Sequence, residues 1–185
     1  MRSVRYNVAA SLDGFIAGPA GDYDWIPHDP AVDFAAIFAR VDTVLIGRRS
    51  YETAMQMGGL PWGAGMRVYV FSRTLPASAL PGATVVAEGA VELVSALRAE
   101  PGDGDIWLFG GGNLCRGLLT AGLVDRIEVT LVPVLLGAGT PLFHPGYPRT
   151  TLQLVGTRTY PTGMVTLSYD VALSHGATGQ ANGPA

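Results

Sequence analysis

Lysine is absent from this chain: all 12 basic residues are arginine. That excludes a Schiff-base lysine and the lysine of a phosphate-binding P-loop. Arginine-based phosphate recognition is untouched, and the planar guanidinium suits it better than an ammonium does. Cysteine is nearly absent as well. The single Cys115 rules out an intrachain disulfide framework and fits a reducing, cytoplasmic setting. Its place one turn into a helical segment reads as a small packed side chain rather than a reactive thiol. Positive charge is not in excess either. A net charge of −3 gives no global field to draw in nucleic acid or an acidic membrane.

Other signatures are missing too. Residues 129–148 carry no Asp, Glu or Arg, but Pro133, Gly137, Gly139, Pro141 and Pro145 make them a poor membrane helix. The opening MRSVRYNVAASL has a short apolar stretch that Asp13 cuts off, so it reads as a first strand rather than a signal peptide. No GxSxG elbow is present, and His28 and His144 are too far apart to form a recognisable metal motif. No metal site is expected. The composition, 48% hydrophobic over 185 residues, suits one compact soluble domain with a full core.

Strand-like and helix-like segments alternate along that domain. Strands are expected at residues 4–10, 43–46, 67–71, 84–87, 106–109 and 126–136, the last interrupted by Pro133. An antiparallel pair, 152–159 and 164–173, closes the domain around Pro161-Thr162-Gly163. Asp29-Pro30 reads as a helix cap and first-turn proline, ahead of an apolar face made by Phe34, Ile37, Phe38 and Val41. Further helices follow Gly47, cover 91–100, and follow the glycines at 110–112. Residues 174–185, small and polar, read as a disordered tail. The alternation defines an α/β fold with a mainly parallel sheet, helices on both faces and ligands at the carboxyl ends of the strands.

Three strand ends carry the chemistry. In DIWLFGGGNLCRGLL, residues 105–119, a buried strand turns through Gly110, Gly111 and Gly112 into a helix. Bare backbone N–H groups there can hold a pyrophosphate. GRRSYE, residues 47–52, places Arg48, Arg49 and Ser50 where a strand gives way to a helix. Such a set suits a phosphate, although a solvated charge pair plus a cap would look the same. FSRT, residues 71–74, puts Ser72 and Arg73 at a third strand end. Together they suggest an extended ligand with several phosphates. The spacing Gly110-x-Gly112-x-x-Cys115 is similar to a Rossmann fingerprint. It comes too late in the chain, however, and Glu128 lies within a strand, so the Rossmann assignment is rejected.

SLDGFIAG (11–18), LIGRRSYE (45–52), VYVFSRT (68–74), WLFGGGNL (107–114) and VPVLLGAGTPLF (132–143) occur in this order. Together they resemble the dihydrofolate reductase-like superfamily. The closer likeness is to its branch related to the reductase domain of the bifunctional riboflavin-biosynthesis enzyme. The resemblance spans residues 3–173. It implies a mainly parallel sheet flanked by helices with antiparallel C-terminal strands, and it implies NADPH as cofactor. By that likeness, Arg48, Arg49 and Ser50, with Ser72 and Arg73, surround the adenosine 2′-phosphate, and Gly47 also belongs to the cofactor site. Gly110, Gly111, Gly112, Asn113 and Leu114 hold the pyrophosphate, and Ala10 with the loop from Ile16 to Gly21 borders the nicotinamide. It also implies a cis peptide between Gly110 and Gly111, and frequent homodimers through C-terminal elements.

The substrate expected from the resemblance is a pyrimidine or pterin type of heterocycle, or a ribosyl imine. The reaction resembles that of 5-amino-6-(5-phosphoribosylamino)uracil reductase. Dihydrofolate reductase activity, a non-catalytic NADPH-binding module and a structural dimer partner are the alternatives. Hydride reduction also needs a proton. Asp29 is read as the helix cap, which leaves Asp33, at the edge of the apolar face, as the favoured catalytic acid. Asp13 is read as folding its own loop, and Trp25 and Phe15 as candidate cleft aromatics. A substrate phosphate would draw on Arg40, Arg67, Arg116, Arg126 or Arg149.

Overall fold

The computed structural model describes residues 1–56, 65–76, 80 and 82–172. The expected tail at 174–185 lies outside the described residues. The elements, in chain order, are β1 (Val4–Ser11), β2 (Phe15–Ala17), α1 (Phe34–Ala39), β3 (Val41–Gly47), α2 (Arg48–Gln56), β4 (Arg67–Phe71), β5 (Thr84–Val86), α3 (Ala90–Ala99), β6 (Asp105–Gly110), α4 (Gly112–Thr120), β7 (Arg126–Val132), β8 (Thr140–Pro141), β9 (Leu152–Thr159) and β10 (Val165–Val171).

Eight strands form one sheet in the order β5-β4-β3-β6-β1-β7-β10-β9. The six from β5 to β7 run parallel, and β10 and β9 add an antiparallel edge. The short β2 and β8 pair separately. Side chains alternate across each strand, so the sheet builds a core on each face. On one face Val44, Ile46, Val68, Val70 and Trp107 pack with Tyr51 of α2 and Phe38 of α1. On the other, Val4, Tyr6, Leu45, Ile106 and Leu108 pack with Val94 and Leu97 of α3 and Cys115 and Leu118 of α4. Cys115 is fully buried there, and burial pushes its thiol up to about 12, as expected of a packed side chain.

The parallel connections explain where a ligand can sit. From β1 the chain crosses to β3 and moves outward to β4 and β5. It then returns to insert β6 between β3 and β1, and α4 leads to β7 on the other side of β1. Such a reversal splays the helices apart at the carboxyl ends of the strands and leaves a crevice there.

Several local expectations change. Val41 belongs to β3 rather than to the helix before it, and β7 stops at Val132, where Pro133 removes the next ladder donor. Helix α1 is capped by Asp33, whose Oδ1 accepts the Ala36 N–H at 2.8 Å, and not by Asp29. No cis peptide occurs among the described residues. The chain turns between Gly110 and Gly112 through a trans bond and Gly111 at φ 106°.

Candidate active site

One open cleft of about 2140 Å³ runs across the carboxyl ends of β3, β4 and β6 and over the sheet between β1 and β10. A pocket for one small ligand is commonly about 300–1,000 Å³, so this cleft has room for two molecules side by side.

Its first half is made by the three strand ends. Parallel β3 and β4 are in register, with Gly47 opposite Phe71. Arg49, in the first turn of α2, and Arg73, in the turn after β4, each lie two residues beyond this pair. Both line the cleft. Among the described residues neither has a carboxylate within 4.0 Å, whereas Arg48 has Glu52 at 3.5 Å one turn along α2. The Ser72 hydroxyl is nearly buried and accepts N–H bonds from Thr74 and Leu75 at 3.2 and 3.0 Å. Its observed work is to fold the loop that presents Arg73.

Beside them, Ile46 pairs with Gly110, which brings the end of β3 against the glycine turn. A Cβ on Gly47 would lie 3.2 Å from the Gly111 Cα, and one on Gly110 would lie 3.2 Å from the Ser50 hydroxyl. Added side chains would crowd this junction, and the first turn of α4 opens from it into the cleft. Gly112, Asn113 and Leu114 all line the space, with Ile16 and Gly21 across from them. Ala10 is fully buried in the core, and its neighbour Ala9 borders the cleft. The loop after β8 braces the turn: the Tyr147 hydroxyl donates to the Gly112 carbonyl at 2.7 Å.

The second half lies over the sheet. Asn7 and Ala9 of β1, Glu128 and Thr130 of β7, and Thr166 and Ser168 of β10 form its floor. Trp107, Phe109, Phe38 and Tyr160 supply aromatic surface. Trp25 and Phe15 are not among the lining residues; the Trp25 indole N–H bonds the Asp22 carbonyl at 3.1 Å. Of the five arginines considered for a substrate phosphate, only Arg40 reaches the cleft. Arg67 is held by Glu100 at 2.7 Å and Arg126 by Asp170 at 2.8 Å. Arg5 and Arg158 line the cleft and escaped the sequence reading.

The acids divide by their bonding. Asp13 accepts from Ser11 at 2.6 Å, from Gly137 at 2.7 Å and from Leu136 at 3.1 Å, which ties the β1–β2 turn to residues 136–137. The Ser11 hydroxyl, then these backbone donors, hold its pKa below the usual carboxylate range. Asp29 is buried under the β9–β10 hairpin. It accepts from the Thr162 hydroxyl at 2.7 Å, the Ala31 N–H at 2.8 Å and the Thr162 N–H at 3.2 Å. Thr162 foremost, then Ala31, keep it ionised at neutral pH, so it is a fastener and a poor proton donor. Asp33 borders the cleft at the start of α1.

Known proteins place this geometry in a class. Dihydrofolate reductase from Enterococcus faecalis, solved with NADP(H), superposes with a TM-score of 0.64 over 91% of this chain and 96% of that one, at 18% identity. The fold is therefore dihydrofolate reductase-like, with its parallel sheet and antiparallel C-terminal strands. Within that class, residues 2–166 match the RibD C-terminal domain, and the chain belongs to this family, which is of reductase type. The Bacillus subtilis protein YyaP, itself uncharacterized, is 34% identical over 181 residues, 91% of this chain and 94% of its own. A Shewanella sp. PV-4 protein provisionally assigned to riboflavin biosynthesis gives a TM-score of 0.78 at 26% identity, covering 93% of this chain and 99% of that one.

Among the described residues, no helix is long and apolar enough to cross a membrane.

Proposed function

We propose that the protein is an NADPH-dependent reductase that reduces a C=N or C=O group of a pyrimidine- or pterin-type heterocycle or a ribosyl imine. The reaction resembles that of 5-amino-6-(5-phosphoribosylamino)uracil reductase. The observation that carries this reading is the meeting of three strand ends in one cleft. Among the described residues, two arginines without acid partners stand beside a glycine turn in which added side chains would crowd the neighbouring atoms. The residues fit the cofactor part by part. Arg49 and Arg73, with Arg48 and Ser50 behind them, receive the 2′-phosphate. The Gly110–Gly112 backbone and the first turn of α4 receive the pyrophosphate, where free N–H groups and the helix dipole favour an anion. Ala9, Ile16 and Gly21 border the nicotinamide, with Ala10 packed behind them in the core.

When bound, NADPH supplies the hydride. The chain's own part is to orient the two rings, exclude water with the β2–β8 side of the cleft, and supply a proton. Asp33 is the proposed source of that proton. One carboxylate oxygen caps α1, and the residue borders the cleft. The exposed Leu154 and Val155 on edge strand β9, 52% and 45% accessible, support a homodimer contact.

Fluorescence titration with NADPH and NADH, followed by turnover at 340 nm with dihydropterins and ribosylaminopyrimidines, tests the reading. NADPH is expected to bind at least about tenfold tighter than NADH. Asp33→Asn, which can still cap the helix, is expected to lower turnover without changing NADPH affinity. Equal affinity for both nucleotides, or binding of neither, removes the 2′-phosphate assignment. Turnover of any of these substrates removes the non-catalytic alternative.

A further inference from the structure

We propose that Arg158 anchors an anionic group, a phosphate or a carboxylate, at the end of the substrate away from the reducible ring. This rests on the reductase reading above for its placement of that ring.

The argument begins with sheet register. Ala9 pairs with Thr130, Thr130 with Thr166, and Thr166 with Arg158. Residues directly opposite one another share a face, so these four make one rung across β1, β7, β10 and β9. The rung behind it is Asn7, Glu128, Ser168 and Gly156. Strands stand about 4.8 Å apart, so the front rung spans about 14 Å from Ala9 to Arg158. Its middle is uncharged: the Thr130 and Thr166 hydroxyls bond each other at 2.7 Å, and Thr166 reaches Tyr160 at 3.4 Å.

Charge bookkeeping then singles out one residue. Arg5, on the same floor, is matched by Glu128 at 2.5 Å and Asp105 at 2.7 Å, and Arg40 has Asp105 at 3.6 Å. Arg158 donates to the Ala31 carbonyl at 2.7 Å and lies 5.1 Å from the Tyr160 ring centre. Among the described residues it has no carboxylate within 4.0 Å. A carbonyl and an aromatic face fix a guanidinium in place without cancelling its charge. The remaining N–H donors present the planar fork that suits a carboxylate or phosphate. A molecule lying along the rung, its ring near Ala9 and its middle over the two threonines, would bring a charged end to Arg158.

The competing role is mechanical, since the bond to Ala31 also fastens residues 29–32 to β9. Two variants separate the roles: Arg158→Gln keeps a donor for Ala31 but loses the charge, and Arg158→Lys keeps both. With the protein saturated in NADPH, so that the cofactor's own phosphate sites are filled, calorimetric titrations would compare ribose 5-phosphate with ribose, and 4-aminobenzoylglutamate with 4-aminobenzamide.

At least one anion is expected to bind about tenfold tighter than its neutral counterpart. Arg158→Gln should abolish that advantage and Arg158→Lys restore most of it, with NADPH affinity unchanged. The anion that shows the effect identifies the source, phosphate ester or carboxylate. If neither anion outbinds its neutral counterpart, or if Arg158→Gln binds both as the parent does, the proposal is overturned. A lower melting temperature in Arg158→Gln with anion binding intact would assign Arg158 to fastening alone. Failure of NADPH to bind is seen before any anion is added and counts against the reductase reading itself.

Discussion

Replacing Arg49 and Arg73 together by alanine is expected to weaken NADPH binding by about 100- to 1,000-fold and to leave NADH within about threefold. The magnitude follows from the surroundings of the two guanidinium groups. Each lies at the mouth of the cleft with no acid partner among the described residues, two positions beyond neighbouring strand ends that are in register. A hydrogen bond between charged partners contributes about 1.5–3 kcal/mol, and part of that is screened at an open site. Two such contacts on one phosphate account for the range. Arg48→Ala is expected to cost less, because Glu52 at 3.5 Å already offsets that charge. The preference for NADPH should also shrink as salt is raised, since the contact is between exposed charges. Titrations of parent and variant with both nucleotides at two ionic strengths check this. If NADPH and NADH weaken equally, the arginines serve a part of the cofactor common to both.

The half of the cleft proposed for the cofactor could be anticipated from the sequence because each of its parts is local. A glycine run between an apolar strand and a helix, or an arginine pair at a strand end, is complete within six residues. Only their meeting needed the sheet order. The half proposed for the substrate was not legible, because it is assembled by pairing across the chain. Ala9, Thr130, Thr166 and Arg158 become one rung only after β1, β7, β10 and β9 are laid side by side. Nothing in TRTYP marks Arg158 as a cleft residue.

The two aspartates show the same limit in a single motif. Asp29-Pro30 has the chemistry of a helix cap, yet Thr162, 133 residues away, captures the Asp29 carboxylate. The helix then starts later, and Asp33 takes over the cap. Local propensity could rank these two acids but could not see the hairpin that decides between them.

Gly111→Ala is expected to lower stability by about 3–4 kcal/mol, a fall of roughly 10 °C in melting temperature, and to remove measurable NADPH binding. Two independent penalties meet at this residue. Its φ of 106° lies where a side chain is strained, at a cost of about 1–2 kcal/mol. A new Cβ would also stand 3.2 Å from the Gly47 Cα and 3.3 Å from the Gly47 nitrogen. Those are backbone atoms at the end of a central strand, and Ile46 beside them is fully buried, so they cannot swing aside as a flexible side chain would. Relief must come from moving α4, and that movement would displace the N–H groups proposed to hold the pyrophosphate. Gly117→Ala, on the same helix with nothing within 4 Å of its added Cβ, is the control. It should keep cofactor affinity and gain slightly in stability, because alanine favours the helix. Thermal melts and NADPH titration of both variants separate the outcomes. A Gly111→Ala protein that melts and binds as the parent does would show that the turn does not depend on the close contact between β3 and the head of α4.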